Sequence, residues 1–266
     1  MTFPTSIFDF IRWLTAAAML AGVLSGMGLA GLFLIRRTQP NRWSNWLFAG
    51  LVGAMSTALL DKFFNFTLLA QRFPKLSFLP LNVSFLFAPL LFFYVKSRLY
   101  PHFDMNRSDF KHFILPTVQL ALLLFIPFSG VASKADFDRQ FFTPFSGNFE
   151  KGVFILQFFL YSYFAYRFIL HEKFSLAKLQ AASRQHQATS DRRQVLVVGW
   201  LKRMVKTLFI LFGVHAFLIL TDYFSFRLFD LNLQSKSLFS SFYELSFAAM
   251  LAWLCVNGYF ALRRRL

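Results

Sequence analysis

The chain has 266 residues, 56% apolar, 20% aromatic and only 15% charged, with a net charge of +16 at pH 7. A soluble core cannot absorb that much apolar surface, so lipid is the expected solvent. The bases fall between apolar stretches rather than on one polar face, which argues against a nucleic-acid surface.

The first apolar stretch, Trp13 to Ile35, has no basic segment before it and exceeds the roughly 7 to 15 residues of a signal-peptide core, so it is expected to be kept as a span. Within it Ala18, Gly22, Gly26 and Ala30 recur every fourth position, a spacing that lets another helix approach closely. Packing inside the bundle is the simpler reading, and a homo-oligomer face is the alternative.

Crossing about 30 Å of hydrocarbon takes about 20 helical residues. That criterion places spans near 13–35, 45–69, 78–98, 113–130, 152–171, 204–223 and 238–260. The chain therefore reads as an all-α polytopic membrane protein, a bundle of about seven transmembrane helices forming one domain, 1–266. Its phenylalanine-rich runs supply apolar surface without polar atoms that would need partners in hydrocarbon.

In span three, Pro80 and Pro89 predict a kink, either static or hinged. Span four is the shortest apolar run, bracketed by Pro116 and Pro127, and losing it would invert everything downstream. Span five carries Gln157, Tyr161, Tyr163 and Tyr166, which read as aromatic packing and interface anchoring. The longest connection, a basic loop at about 172–203, holds Ser190 as a helix N-cap. From there Val195, Val198 and Leu201 share one face while Arg192, Arg193 and Arg203 reach water. Either span six begins in the cytoplasm or this basic segment lies on lipid.

Lysine and arginine set the orientation. One side carries Arg36, Arg37 and Arg42; Lys96, Arg98, Arg107 and Lys111; Arg167, Lys173, Lys178, Arg184, Arg192, Arg193, Lys202, Arg203 and Lys206; and Arg263, Arg264 and Arg265. The other has Arg12, Lys62, Arg72, Lys75, Lys134, Arg139, Lys151, Arg227 and Lys236, a ratio of roughly two to one. Most acids, including Asp136, Asp138 and Glu150, lie on the poorer side. The N-terminus is thus expected outside and the C-terminus in the cytoplasm, with the basic face on the anionic leaflet. Membrane lipids are the expected partners, and no direct nucleic-acid contact is expected.

Polar side chains inside spans are costly and need a reason. Thr57, Asp61 and Asn65 share one face of span two, His215 and Asp222 share one face of span six, and Glu244 lies in span seven. Measured from the basic anchors, the carboxylates fall toward the outer interface and His215 nearer mid-membrane. Asp61, Asn65, His215, Asp222 and Glu244 are therefore the candidate ligand-binding residues, for a cationic or polar ligand or for protons through His215. The plainer reading leaves the carboxylates in headgroup water and gives His215 an interhelical hydrogen bond.

Enzyme chemistry has little support, since the five histidines are dispersed and neither a phosphate loop nor a nucleophile elbow occurs. No cofactor and no metal site is expected, although His215, Asp222 and Glu244 are the one conceivable metal set. Cys255, the lone cysteine, permits no disulfide and reads as a small apolar helix residue.

The segment Phe87-Ala88-Pro89-Leu90-Leu91-Phe92-Phe93-Tyr94-Val95-Lys96-Ser97, followed by His112, Phe113 and Pro116, resembles spans three and four of a known family. This family is the seven-helix membrane sensor domain of bacterial AraC-type transcriptional regulators. Trp200-Leu201 and Asn257-Gly258-Tyr259-Phe260-Ala261-Leu262-Arg263 are similar to its motifs at the last two spans, so the resemblance covers about 80–266. It implies a sensor of the bacterial inner membrane with seven spans and a cytoplasmic C-terminus. Family members continue into a helix-turn-helix domain, whereas this sequence stops at Leu266, so the expected output is a separate cytoplasmic regulator or effector protein.

Together these features predict a membrane-embedded sensory or signal-relay protein with an outward-facing polar cluster. The alternative is a small transporter or channel-like protein, which would need a polar path across the membrane.

Overall fold

A computed structural model describes residues 7–35, 42–100, 103–128, 148–182 and 188–264, with 148, 174–182, 188–193 and 264 described through the backbone alone. Among the charged positions above, Arg36, Arg37, Lys134, Asp136, Asp138, Arg139, Arg184 and Arg265 lie outside the described residues.

The fold is all-α. Its helices are α1 (Ile7–Ile35), α2 (Arg42–Phe66), α3 (Leu69–Arg72), α4 (Pro74–Ser77), α5 (Phe87–Leu99), α6 (Ile114–Phe125), α7 (Asn148–Ala182), α8 (Ala188–Phe229) and α9 (Ser237–Arg264). Among the described residues six helical segments are long and apolar enough to cross a membrane: α1, α2, 107–128 around α6, α7, α8 and α9. Such runs fold as helices because hydrocarbon offers backbone groups no partner, so each segment must satisfy its own.

The third span differs from its expected extent. Residues 80–83 are not helical, a 3-10 turn occupies Ser84–Leu86, and α5 has 13 residues, about 20 Å of rise. Pro80 disfavours helix at Leu79 and so helps hold the start back. Pro89 sits in the first turn of α5, where its missing N–H costs little, so neither proline kinks the helix. Short as it is, α5 is the centre of the bundle, with Phe87, Leu91, Phe93, Tyr94 and Val95 at most 1% exposed.

The fourth span is present, as 3-10 turns over Arg107–Phe113 and Ile126–Phe128 flanking α6. Asn106 and Asp109 close a capping box at its start. At the fifth and sixth spans the helices outrun expectation. At 35 and 42 residues, α7 and α8 rise about 52 and 63 Å, well beyond the hydrocarbon thickness. Most of 172–203 is therefore helix rather than loop, and α8 starts at Ala188, so Ser190 lies in its first turn instead of capping it.

Packing closes a ring: α1 lies against α2 and α9, α2 against α5, α5 against α7, α7 against α8, and α8 against α9. The α6 segment stays at the edge, against the 3-10 turn of Ser84–Leu86, with most of its side chains outside the core. Outward faces carry exposed Leu14, Leu24, Val118 and Phe217, as lipid-facing surface should. Inside, Phe158 and Phe212 stack at 3.8 Å between α7 and α8. The small-residue stripe of α1 is an internal seam. Gly22 abuts Leu59 and Leu251, Gly26 abuts Ser56 and Leu251, and Ala30 meets Gly53, while Ala18 alone is exposed.

Candidate functional site

The antiparallel packing sorts polar groups to two ends. Arg12 donates to the Phe66 carbonyl at 3.1 Å, bringing the start of α1 to the end of α2. At the opposite end the Trp43 indole donates to Asp104 at 3.2 Å. Lys96 pairs there with Asp109 at 3.7 Å, tying the end of α5 to the capping box before α6.

At the Arg12 end, between α2 and α9, lies an ion pair that the sequence reading missed. Lys62 Nζ stands 3.4 Å from Glu244 Oε2, with both side chains largely enclosed. The ammonium also lies 4.4 Å from the centre of the Tyr243 ring and 5.4 Å from that of Phe247, where the negative ring faces attract it. Asp61 is 7% exposed, and its charge acts on Glu244. In this enclosed, low-dielectric setting, loss of either member of the Lys62–Glu244 pair would leave the other charge uncompensated.

His215 adjoins this pair from α8. It is 2% exposed, its ring centre is 4.9 Å from that of Tyr243, and its Nδ1 lies 2.7 Å from Ser246 Oγ. Ser246 Oγ also reaches the Tyr243 carbonyl at 2.7 Å, so His215, Ser246 and that carbonyl form one hydrogen-bonded chain. Tyr243, Glu244 and Ser246 together link α9 to α2 on one side and α8 on the other.

Of the five sequence candidates, Asp61, His215 and Glu244 come together here. Asn65 donates instead to the Asp61 carbonyl of its own helix at 2.9 Å, and half-buried Asp222 is not joined to the cluster among the described residues. Among the described residues no three His, Cys, Asp or Glu side chains converge as metal ligands. In the sequence Lys62 was legible only as one of the bases on the base-poor side, next to Asp61.

A second polar cluster explains how the broken third span survives. Pro89 has no N–H for the Phe85 carbonyl, which accepts from Gln157 Nε2 on α7 at 3.3 Å. The Phe85 N–H donates to Gln119 Oε1 on α6 at 3.1 Å, and Gln119 Nε2 donates to Ser84 Oγ at 3.0 Å and to Glu150. Two glutamines from neighbouring spans thus satisfy both backbone groups of one residue, as buried backbone requires. Gln157 has this role beyond the aromatic packing around it. Tyr161, for its part, shares a 2.6 Å hydrogen bond with His112.

Toward the other end the core is largely apolar, built from fully buried Phe33, Phe48, Leu91, Tyr94, Leu208 and Leu254, with Ser56, Ser97 and Asn257 buried among them. There the α9 indole of Trp253 donates to the Met204 carbonyl of α8 at 3.3 Å. No protein-family model matches the chain, and neither a curated protein nor a solved structure matches it.

Proposed function

We propose that the chain is a membrane-embedded sensory or signal-relay protein whose input is the polar cluster around Lys62 and Glu244. The carrying observation is the enclosed 3.4 Å ion pair between α2 and α9, with His215 of α8 hydrogen-bonded two residues along α9, at Ser246. A proton or a cationic ligand that competes with Lys62 for Glu244 changes how α9 packs on α2. The same helix holds α8 through Ser246 and Trp253. A shift of α9 is thereby passed to α8, which with α7 is too long to end at the membrane surface.

The asymmetry of lysine and arginine supports placing the cluster outside and the far ends of α7 and α8 in the cytoplasm. The resemblance of 80–266 to the membrane sensor domain of AraC-type regulators supports the same reading, with a separate cytoplasmic regulator as output partner. The largely apolar core between the two ends opposes a transporter, which would need a polar path.

The test uses spin labels at exposed Lys173 and Leu196, the far flanks of α7 and α8, in a Cys255→Ser background in nanodiscs. Glu244→Gln is expected to change the distance distribution between them, and outside acidification to do so in the native chain. Unchanged distances in both would rule out the relay, and solute flux in proteoliposomes would favour the transporter.

A further inference from the structure

On one face of the α7–α8 pair, cations and aromatic rings share a surface that the ion-pair cluster does not use. Phe159 of α7 meets Phe209 of α8 at 5.1 Å, and two turns along, Lys202 of α8 lies 6.0 Å from the ring centre of Tyr166. These contacts fix an antiparallel register in which Lys206 falls between them, level with Ser162. Lys206 shares a helical stripe with Lys202 and Phe209, four and three residues away. Arg167 lies 6.0 Å from the ring centre of Tyr163 one turn earlier on α7. Among the described residues no carboxylate pairs with Arg167, Lys202 or Lys206.

The level of these groups in the membrane follows from the sequence. Residues 152–166 of α7 and 207–221 of α8 contain no lysine, arginine, aspartate or glutamate, each about 22 Å of helix. Arg167 and Lys206 come directly after those stretches at one end, and Lys151 and Asp222 at the other. The three bases therefore stand where headgroups begin, and the pair Phe159 and Phe209 lies deeper, at acyl-chain depth. Tyr163, 51% exposed, occupies the boundary, as interfacial tyrosines do.

We infer that this surface is a binding site for one anionic glycerophospholipid, its phosphate held by Arg167, Lys202 and Lys206 and an acyl chain laid across Phe159 and Phe209. Three cations at one level of the α7–α8 pair, with no carboxylate paired to them among the described residues, call for an anion, and the apolar pair Phe159 and Phe209 deeper on the same face selects an amphiphile over a soluble one. The inference rests on the bundle crossing the membrane and not on the relay reading.

Phosphatidylglycerol retained by the full chain in native mass spectrometry tests it. The triple variant Arg167→Gln, Lys202→Gln, Lys206→Gln is expected to retain at least about tenfold less phosphatidylglycerol. The double control Arg107→Gln, Lys111→Gln, which removes exposed bases elsewhere at the same end, is expected to retain it unchanged. Lys202→Arg with Lys206→Arg should retain it too, and separates lost charge from lost folding. Equal loss in triple variant and control, equal retention of phosphatidylcholine by the native chain, or full displacement by inorganic phosphate would each overturn the site.

Discussion

Lys62 Nζ stands 3.4 Å from Glu244 Oε2 and 4.4 Å from the centre of the Tyr243 ring, so one cation binds α2 to two successive residues of α9. Removing one member of an enclosed pair leaves the other charge uncompensated, whereas replacing both with apolar groups relieves the desolvation of each. Glu244→Ala is expected to destabilise the bundle by about 3 to 5 kcal/mol. Lys62→Met with Glu244→Leu should recover most of that loss. Unfolding of the three variants in detergent measures it, and a double variant as unstable as Glu244→Ala would mean the pair acts through packing rather than charge.

The glycine at 258 tests the seam differently. A Cβ there would lie 2.6 Å from the Phe48 ring and 2.8 Å from Leu29, and an aromatic ring fixed in the core cannot move aside cheaply. Gly258→Ala is expected to cost about 1 to 3 kcal/mol. Gly28→Ala, on the open face of α1 with nothing within 4 Å, should be neutral or gain up to about 1 kcal/mol from helix propensity. Thermal unfolding of the two variants side by side separates steric from propensity effects.

Much of this architecture could be read from hydropathy because lipid imposes it: a run such as Trp13–Ile35 has no alternative to helix. The third span was misjudged in extent, 78–98 against 84–99, because an apolar run with prolines looks the same whether the helix includes them or starts beside them. What fixes the start is the capture of the Phe85 backbone by Gln119 and Gln157, residues far away in sequence. The far end of α7 was missed for the opposite reason, since polar helix beyond the membrane leaves no hydropathy signal, whereas the early start of α8 was one of two open alternatives, marked by Ser190 and the shared face of Val195, Val198 and Leu201. At the candidate site Asp61, His215 and Glu244 could be picked out as costly polar groups, but their counter-ion could not. Lys62 was counted only as a topological charge, and the pairing depends on the crossing of α2 with α9.

Loss of the glutamine clamp should be felt locally. Gln157→Leu keeps the volume but leaves the Phe85 carbonyl without a donor, and Gln119→Leu does the same to its N–H. Each is expected to cost about 1 to 3 kcal/mol, the penalty of a buried unsatisfied polar group. Amide hydrogen exchange should show faster opening over 84–90 in both variants, with α1 unaffected. Uniformly faster exchange throughout the bundle would mean that the break is held by the global fold rather than by the two side chains.

Trp253 offers a way to sever communication without disturbing the ion pair. Its indole N–H reaches the Met204 carbonyl at 3.3 Å, and that carbonyl already lies within the continuous helix α8, so the bond is an addition rather than a requirement. Trp253→Phe keeps an aromatic ring in place and removes the donor, at an expected cost of about 1 kcal/mol. If α9 passes its movement to α8 through this contact, the distance change between labels at Lys173 and Leu196 produced by Glu244→Gln should shrink in the Trp253→Phe background. Stability lost without any change in that response would show Trp253 to be a packing residue, and would leave the His215–Ser246 hydrogen bond as the route between the two helices.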